Sequence, residues 1–262
     1  MSTALSDGWN ESAAAWLAEM SDGGDYARKF VLDAPMLDRI RGRRFGKALD
    51  IGCGEGRFCR LMQAEGVATI GIDPTKALID RARELDPHGD YRLGRIESLD
   101  IPAGSFDLVV CYLSLIDIPD LATATARIVQ ALRPGGTLLI ANLTSFNTAG
   151  MPDGWRRGDD GKLRFCIDDY LDERAVWVSW RGVRVQNWHR PLSTYMTLFL
   201  AGGMDLRHFS EPAPIGGDPE MGACYRRVPC FHVMEWRKHA ARSRSSARSD
   251  GENRRQTKVA AG

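Results

Sequence analysis

The stretch at residues 47–56, KALDIGCGEG, constrains this chain more than any other. An apolar run ending in Leu49, Asp50 and Ile51 reads as a buried strand. Gly52, Gly54 and Gly56 then crowd into a turn before a helical pattern begins near Arg57. Glycines at alternate positions permit positive φ and let a ligand approach main-chain N–H groups that a Cβ would shield, so the turn reads as a ligand cradle. A dinucleotide site of spacing G-x-G-x-x-G needs a third glycine where this chain has Arg57, and a nicotinamide dinucleotide therefore fits poorly.

Three further segments follow in order. TIGIDP ends a second apolar strand at Asp73 and Pro74, about twenty residues beyond the first glycine. Residues 105–115, SFDLVVCYLSL, form an apolar strand, and residues 132–143, LRPGGTLLIANL, carry a Pro-Gly-Gly turn into another. Together the four segments resemble the motifs of class I S-adenosylmethionine (SAM)-dependent methyltransferases, from residue 47 to residue 143. The resemblance implies SAM as cofactor, with contacts from Asp50, Gly52, Cys53 and Gly54 in the turn, from Asp73 and Pro74, and from Cys111 at the end of the fourth strand. A carboxylate at Asp73 suits two ribose hydroxyls. At GRIESL the family has an acidic residue against the adenine amino group where this chain has Arg95. Either Glu97 or a backbone carbonyl serves in its place, or adenine selectivity is loose; the backbone of Ile96 is still able to meet the ring edge, and Arg95, Ile96 and Glu97 are the cofactor candidates at this turn.

The resemblance also implies an α/β Rossmann-like fold: a seven-stranded sheet of order 3-2-1-4-5-7-6, strand 7 antiparallel, with helices on both faces and a substrate-side lid insert. Five units are expected. Residues 1–46 form N-terminal lid helices, 47–143 the cofactor core, 144–191 an aromatic-rich lid insert, 192–238 a closing helix and antiparallel hairpin, and 239–262 a disordered basic tail. Ser6 and Asp7 are positioned to cap a first helix whose apolar face holds Trp9, Ala13, Trp16, Leu17 and Met20, broken at residues 22–24. In similar methyltransferases a Tyr or Arg of the second helix meets the methionine end of the cofactor. Tyr26 and Arg28 are the candidates, with plain helix packing as the alternative.

The insert departs from the strand–helix alternation. Four of the seven tryptophans fall there, and AVWVSW and VRVQNW alternate as strands do, which disfavours disorder. His189 in WHRPLSTY is the candidate general base, since imidazole titrates near working pH; tying the insert to the domain is its other reading. Amino-directed members carry Asp/Asn-Pro-Pro-Tyr/Phe after the fourth strand, which is absent. Metal-dependent catechol-type members place carboxylates at the ends of two strands where this chain has Cys111 or Tyr112, and Ala141. Only Asn142 remains, so no metal is expected.

With 262 residues, 44% of them apolar, the chain is able to bury one sizeable core, and a net charge of +1 gives no electrostatic case for nucleic acid or an anionic membrane. The basic tail is the exception. Six cysteines without a C-x-x-C pair read as reduced thiols, and MSTALSDGWN lacks the basic start and apolar core of an export signal. The expectation is a cytoplasmic, metal-independent methyltransferase acting on O, N or C of a small aromatic or apolar acceptor, as monomer or homodimer. Two alternatives stand beside it: an RNA methyltransferase using the tail, and a SAM-binding protein without catalysis.

Overall fold

The protein is described by a computed structural model over residues 6–20 and 23–240. Helix α1 (Trp9–Glu19) is followed by a π-helical turn (Arg28–Leu32) running into α2 (Asp33–Asp38). The core then alternates β1 (Lys47–Ile51), α3 (Arg57–Ala64), β2 (Ala68–Asp73), α4 (Lys76–Leu85), β3 (Asp90–Leu93), β4 (Phe106–Tyr112), α5 (Leu121–Ala131) and β5 (Leu132–Leu143). The insert contains α6 (Ser145–Ala149), a hairpin of β6 (Trp155–Arg157) with β7 (Leu163–Phe165), and a longer hairpin of β8 (Arg174–Trp180) with β9 (Val183–His189). Helix α7 (Leu192–Ala201), β10 (Met204–Ser210), α8 (Pro219–Arg227) and β11 (Phe231–Lys238) close the chain.

Among the described residues the main sheet has seven strands in the order β3-β2-β1-β4-β5-β11-β10. The first five are parallel, and β11 runs antiparallel to both β5 and β10, which is the expected topology. Strands that are apolar at every position must be covered on both sides. Accordingly Leu49, Ile51, Val109, Cys111, Leu138 and Ile140 pack against α5 and α7, while Ala48, Leu108, Val110, Leu139 and Ala141 face the π-helical turn, α2 and α3. Each fully buried aliphatic side chain contributes about 1.5–3 kcal/mol, so this double layer fixes the sheet edge on which the loops converge.

Helix α1 departs from the capping expectation: Gly8 at φ 87° is its N-cap, and Asp7 accepts the Trp9 N–H at 3.2 Å from one position further out. Its apolar face packs on the insert. Ala13, Trp16 and Met20 bury with Val183 and Val185 of β9 and Leu78 of α4. Ser12 Oγ donates to the Arg184 carbonyl and accepts the Arg184 N–H, both at 2.9 Å, and the Gln186 N–H donates to the Asp7 carbonyl at 2.9 Å. Helix α8 lies between the two strands of the expected closing hairpin. Residue 22 of the helix break, and the basic tail beyond residue 240, lie outside the described residues.

Candidate functional site

The carboxyl ends of β1, β2 and β4 open onto a cavity of about 590 Å3. At its floor the glycine turn folds against the sheet: the N–H groups of Gly52 and Cys53 both donate to the Ile72 carbonyl, at 2.8 and 3.0 Å. Gly52 has φ 71°, and a Cβ on it would lie 2.4 Å from the Ser114 Cβ, so the turn approaches the loop after β4 only as glycine. Ser114 Oγ donates to the Ile51 carbonyl at 2.5 Å from the other side.

Asp73 ends β2 on the cavity wall, 7% exposed. Its Oδ2 accepts the Gly54 N–H at 3.0 Å and its Oδ1 the Thr75 N–H at 2.8 Å. Burial raises its pKa, and these backbone donors pull against that shift. No cationic side chain pairs with it among the described residues, and the Thr75 hydroxyl adds a side-chain hydrogen bond to the two from the backbone. A carboxylate fixed in this way fits the two hydroxyls of a ribose.

Pro74, Arg95, Ile96 and Glu97 line the same end of the cavity. The Arg95 guanidinium is not free: its Nη2 donates to Asp7 Oδ2 at 2.7 Å. Asp7, in the segment before α1, thereby lines this end of the cavity as well. Asp117 is a second cavity carboxylate that the sequence did not single out. It accepts from Asn187 Nδ2 at 2.6 Å, and burial raises its pKa well above the usual range.

The other end of the cavity is aromatic and apolar. Tyr112, Leu143, Trp155, Phe165, Tyr225 and Phe231 line it, with Asn147 as a polar group. Tyr26 belongs here, stacked on Tyr225 at 5.4 Å with its hydroxyl donating to backbone carbonyls at Gly216 and Asp218. Arg28 is nearly buried between the two ends, its guanidinium 4.6 Å from the Trp16 ring centroid and its Nη1 donating to Asp25 at 2.5 Å. Trp9 and Trp16, which belong to the apolar face of α1, also reach the cavity.

Four expected site residues are placed differently. His189 is wholly buried and does not line the cavity. Its Nε2 lies 2.9 Å from the Tyr170 carbonyl, which only accepts, so Nε2 carries the proton; Nδ1 then accepts from the Thr148 hydroxyl at 2.7 Å. Burial lowers its pKa, but with both nitrogens engaged the ring has no access to an acceptor. Cys111 is also fully buried, in the hydrophobic core with Leu115 and Ile140. Asp50 and Cys53 face a small annex behind the glycine turn instead of the main cavity. Among the described residues no group of three or more His, Cys, Asp or Glu side chains is arranged to hold a metal, and no helix is long and apolar enough to cross a membrane.

Residues 49–140 match the family model of a methyltransferase domain. The malonyl-[acyl-carrier protein] O-methyltransferase of Salmonella typhimurium is 28% identical over 149 residues, 57% of this chain and 58% of that protein. The ubiquinone biosynthesis O-methyltransferase of a Bradyrhizobium species is 32% identical over 120 residues, 44% of this chain and 46% of that one. The chain therefore spans less than two thirds of the length of these curated relatives. A solved SAM-dependent methyltransferase from Mesorhizobium loti superposes with a TM-score of 0.70 at 26% identity, covering 78% of this chain and 96% of its own. Residues 49–140 are thus a methyltransferase domain, carried on a sheet topology that this chain shares with a solved SAM-dependent methyltransferase.

Proposed function

We propose that the protein methylates O, N or C of a small aromatic or apolar acceptor without a metal. One observation carries this reading: a single cavity joins the Asp73 and glycine-turn end to an end lined by Trp155, Phe165, Tyr225 and Phe231. When bound, SAM supplies an already activated sulfonium methyl group. The chain then has to hold donor and acceptor in line and exclude water, which accounts for a large part of such a rate. Asp73 fixes the ribose, Arg28 stands between the two ends with Tyr26 on the aromatic side, and residues 144–191 cover the acceptor. Both curated relatives are named as O-methyltransferases, which supports oxygen among the accepting atoms. Cys111 and Ala141, where metal-dependent members carry carboxylates, support metal independence. Reduced thiols support a cytoplasmic setting.

The test is incubation with SAM and a panel of small aromatic and apolar hydroxyl and amine compounds, read by mass spectrometry. A gain of one methyl in an aromatic or apolar member, unaffected by a chelator, is expected. Transfer only to RNA, or transfer abolished by chelation and restored by magnesium, would contradict the reading.

A further inference from the structure

The aromatic end of the cavity holds two polar side chains that the protein itself leaves unused, Asn147 and Tyr225. Asn147 lies on α6, just after β5, and its backbone is fixed on both sides: its N–H donates to the Thr144 hydroxyl at 3.1 Å, and its carbonyl accepts the Gly150 N–H at 3.1 Å. Its side-chain amide lines the cavity and makes no hydrogen bond among the described residues. Tyr225, on α8, is half-buried and stacks on Tyr26 at 5.4 Å and on Phe231 at 5.8 Å. Two other tyrosine hydroxyls at this end are taken, that of Tyr26 by the Gly216 and Asp218 carbonyls and that of Tyr112 by Asp33 at 2.9 Å. The Tyr225 hydroxyl has no partner among the described residues, and burial raises its pKa, so it stays protonated and able to donate. A few such groups among apolar walls are what fixes the orientation of a small ligand.

Charge narrows the ligand further. Three cationic side chains line the cavity, and each is matched by a carboxylate that lines it too: Arg28 by Asp25 at 2.5 Å, Arg95 by Asp7 at 2.7 Å and Arg181 by Glu19 at 2.6 Å. Among the described residues the cavity therefore keeps no unpaired cation for a carboxylate or a phosphate. Asp73, Glu97 and Asp117 have no cationic partner, but they belong to the Asp73 end. At the aromatic end the carboxylate whose charge reaches Tyr225 is Asp25, and Arg28 already holds it. Burying a charge without a partner is costly, whereas a neutral hydroxyl or carbonyl needs only the hydrogen bonds on offer.

Resting on the methyl-transfer reading above, we infer that Asn147 and Tyr225 set acceptor specificity: they bind the polar substituent of an uncharged aromatic ring, and charged aromatics are rejected. An amide and a phenol each donate and accept, so a hydroxyl or a carbonyl on the ring is read equally well. Trp155 and Phe165, edge to face at 5.3 Å, supply the apolar wall. Phe165 is held close against Gly150 and Gly154, where a Cβ would come within 2.6 and 2.5 Å of its ring.

NMR titration of the protein saturated with S-adenosylhomocysteine tests this without relying on turnover. Four probes share one ring system: 2-naphthol carries a neutral polar group, 2-methylnaphthalene none, 2-naphthoate a negative charge and 2-naphthylmethylammonium a positive one. Wild-type protein should bind 2-naphthol at least about 10-fold tighter than either charged probe. Asn147→Leu and Tyr225→Phe keep the size of the side chain and remove its polar group. Each should weaken 2-naphthol by about 3- to 10-fold and leave 2-methylnaphthalene within about twofold, whereas a folding defect would weaken both alike. A charged probe that binds as tightly as 2-naphthol, unchanged 2-naphthol affinity in either variant, or an equal loss of the two neutral probes overturns the inference. Each of those results leaves the aromatic-acceptor reading standing, because an aromatic ring is still bound. Wild-type protein that holds none of the four probes contradicts that reading, and the inference with it.

Discussion

Burial pushes the Asp73 carboxyl toward its neutral form, while the Gly54 and Thr75 N–H groups oppose that shift and hold the carboxyl in place. The turn that supplies one of those donors tolerates little change. Gly52→Ala places a side chain at φ 71°, at a cost of about 1–2 kcal/mol in the backbone alone, and drives the Cβ into Ser114. Chemical denaturation should show a loss of at least that size, accompanied by weaker S-adenosylhomocysteine binding. His189 belongs to a different class of effect. With Thr148 and the Tyr170 carbonyl as its partners, His189→Ala should cost about 2–4 kcal/mol of stability while cofactor affinity in the folded fraction stays within about twofold. Denaturant titration and calorimetry separate the two. A loss of methyl transfer without loss of stability would restore the ring to a catalytic role.

The position of His189 was legible at the level of the element, though it is easily missed at the level of the residue. Along β9 the buried positions alternate, Val183, Val185, Asn187 and His189, so a period-two reading puts the histidine on the inward face. As a general base it would instead have to face the cavity. Arg190 is in fact buried and donates to the carbonyls of Leu115, Ile118 and Pro119, tying the insert to the loop after β4. The core strands were legible because continuous apolar runs and glycine turns are local signals. The Arg95–Asp7 pair was not, since it joins residues 88 positions apart through the packing of α1 on the insert. Helix α8 was hidden by glycines and prolines around it, although Asp218 followed by Pro219 is a local start signal: the Asp218 side chain accepts the Met221 N–H at 2.8 Å.

Strand β11 carries a pH-dependent liability of its own. His232 is 1% exposed, its Nε2 has no partner among the described residues, and burial lowers its pKa from 6.5 to about 4. The unfolded chain takes up this proton near pH 6.5 and the folded chain only near pH 4, so the unfolded state binds more protons between them. Stability from this group is complete above about pH 6.5 and is lost as pH falls toward about 4, by at most about 3 kcal/mol. His232→Phe keeps a ring against Phe209 and removes the titration. Urea unfolding at about pH 7 and about pH 4.5 should show a smaller acid loss in the variant than in the wild type; equal losses would place the acid sensitivity elsewhere.

At the scale of the whole molecule, the sheet edge supplies the floor of one cavity, and segments distant in sequence supply its walls. Helix α1 and the β8–β9 hairpin interlock above the cofactor end, while β6, β7 and α8 enclose the aromatic end. The two ends should therefore respond separately. Phe165→Ala, on β7, should raise the KM for the acceptor by about tenfold or more and leave S-adenosylhomocysteine affinity within about twofold; a parallel change in both would mean that the insert acts on the cofactor instead. The most direct test of the account as a whole is calorimetric titration of S-adenosylhomocysteine into the wild-type protein and Asp73→Ala. The account predicts binding in the low micromolar range, and a loss of about 2–4 kcal/mol in a folded Asp73→Ala variant as two hydroxyl hydrogen bonds to a charged acceptor disappear. Unchanged affinity in that variant, or a wild-type protein that binds NAD in place of S-adenosylhomocysteine, would contradict it.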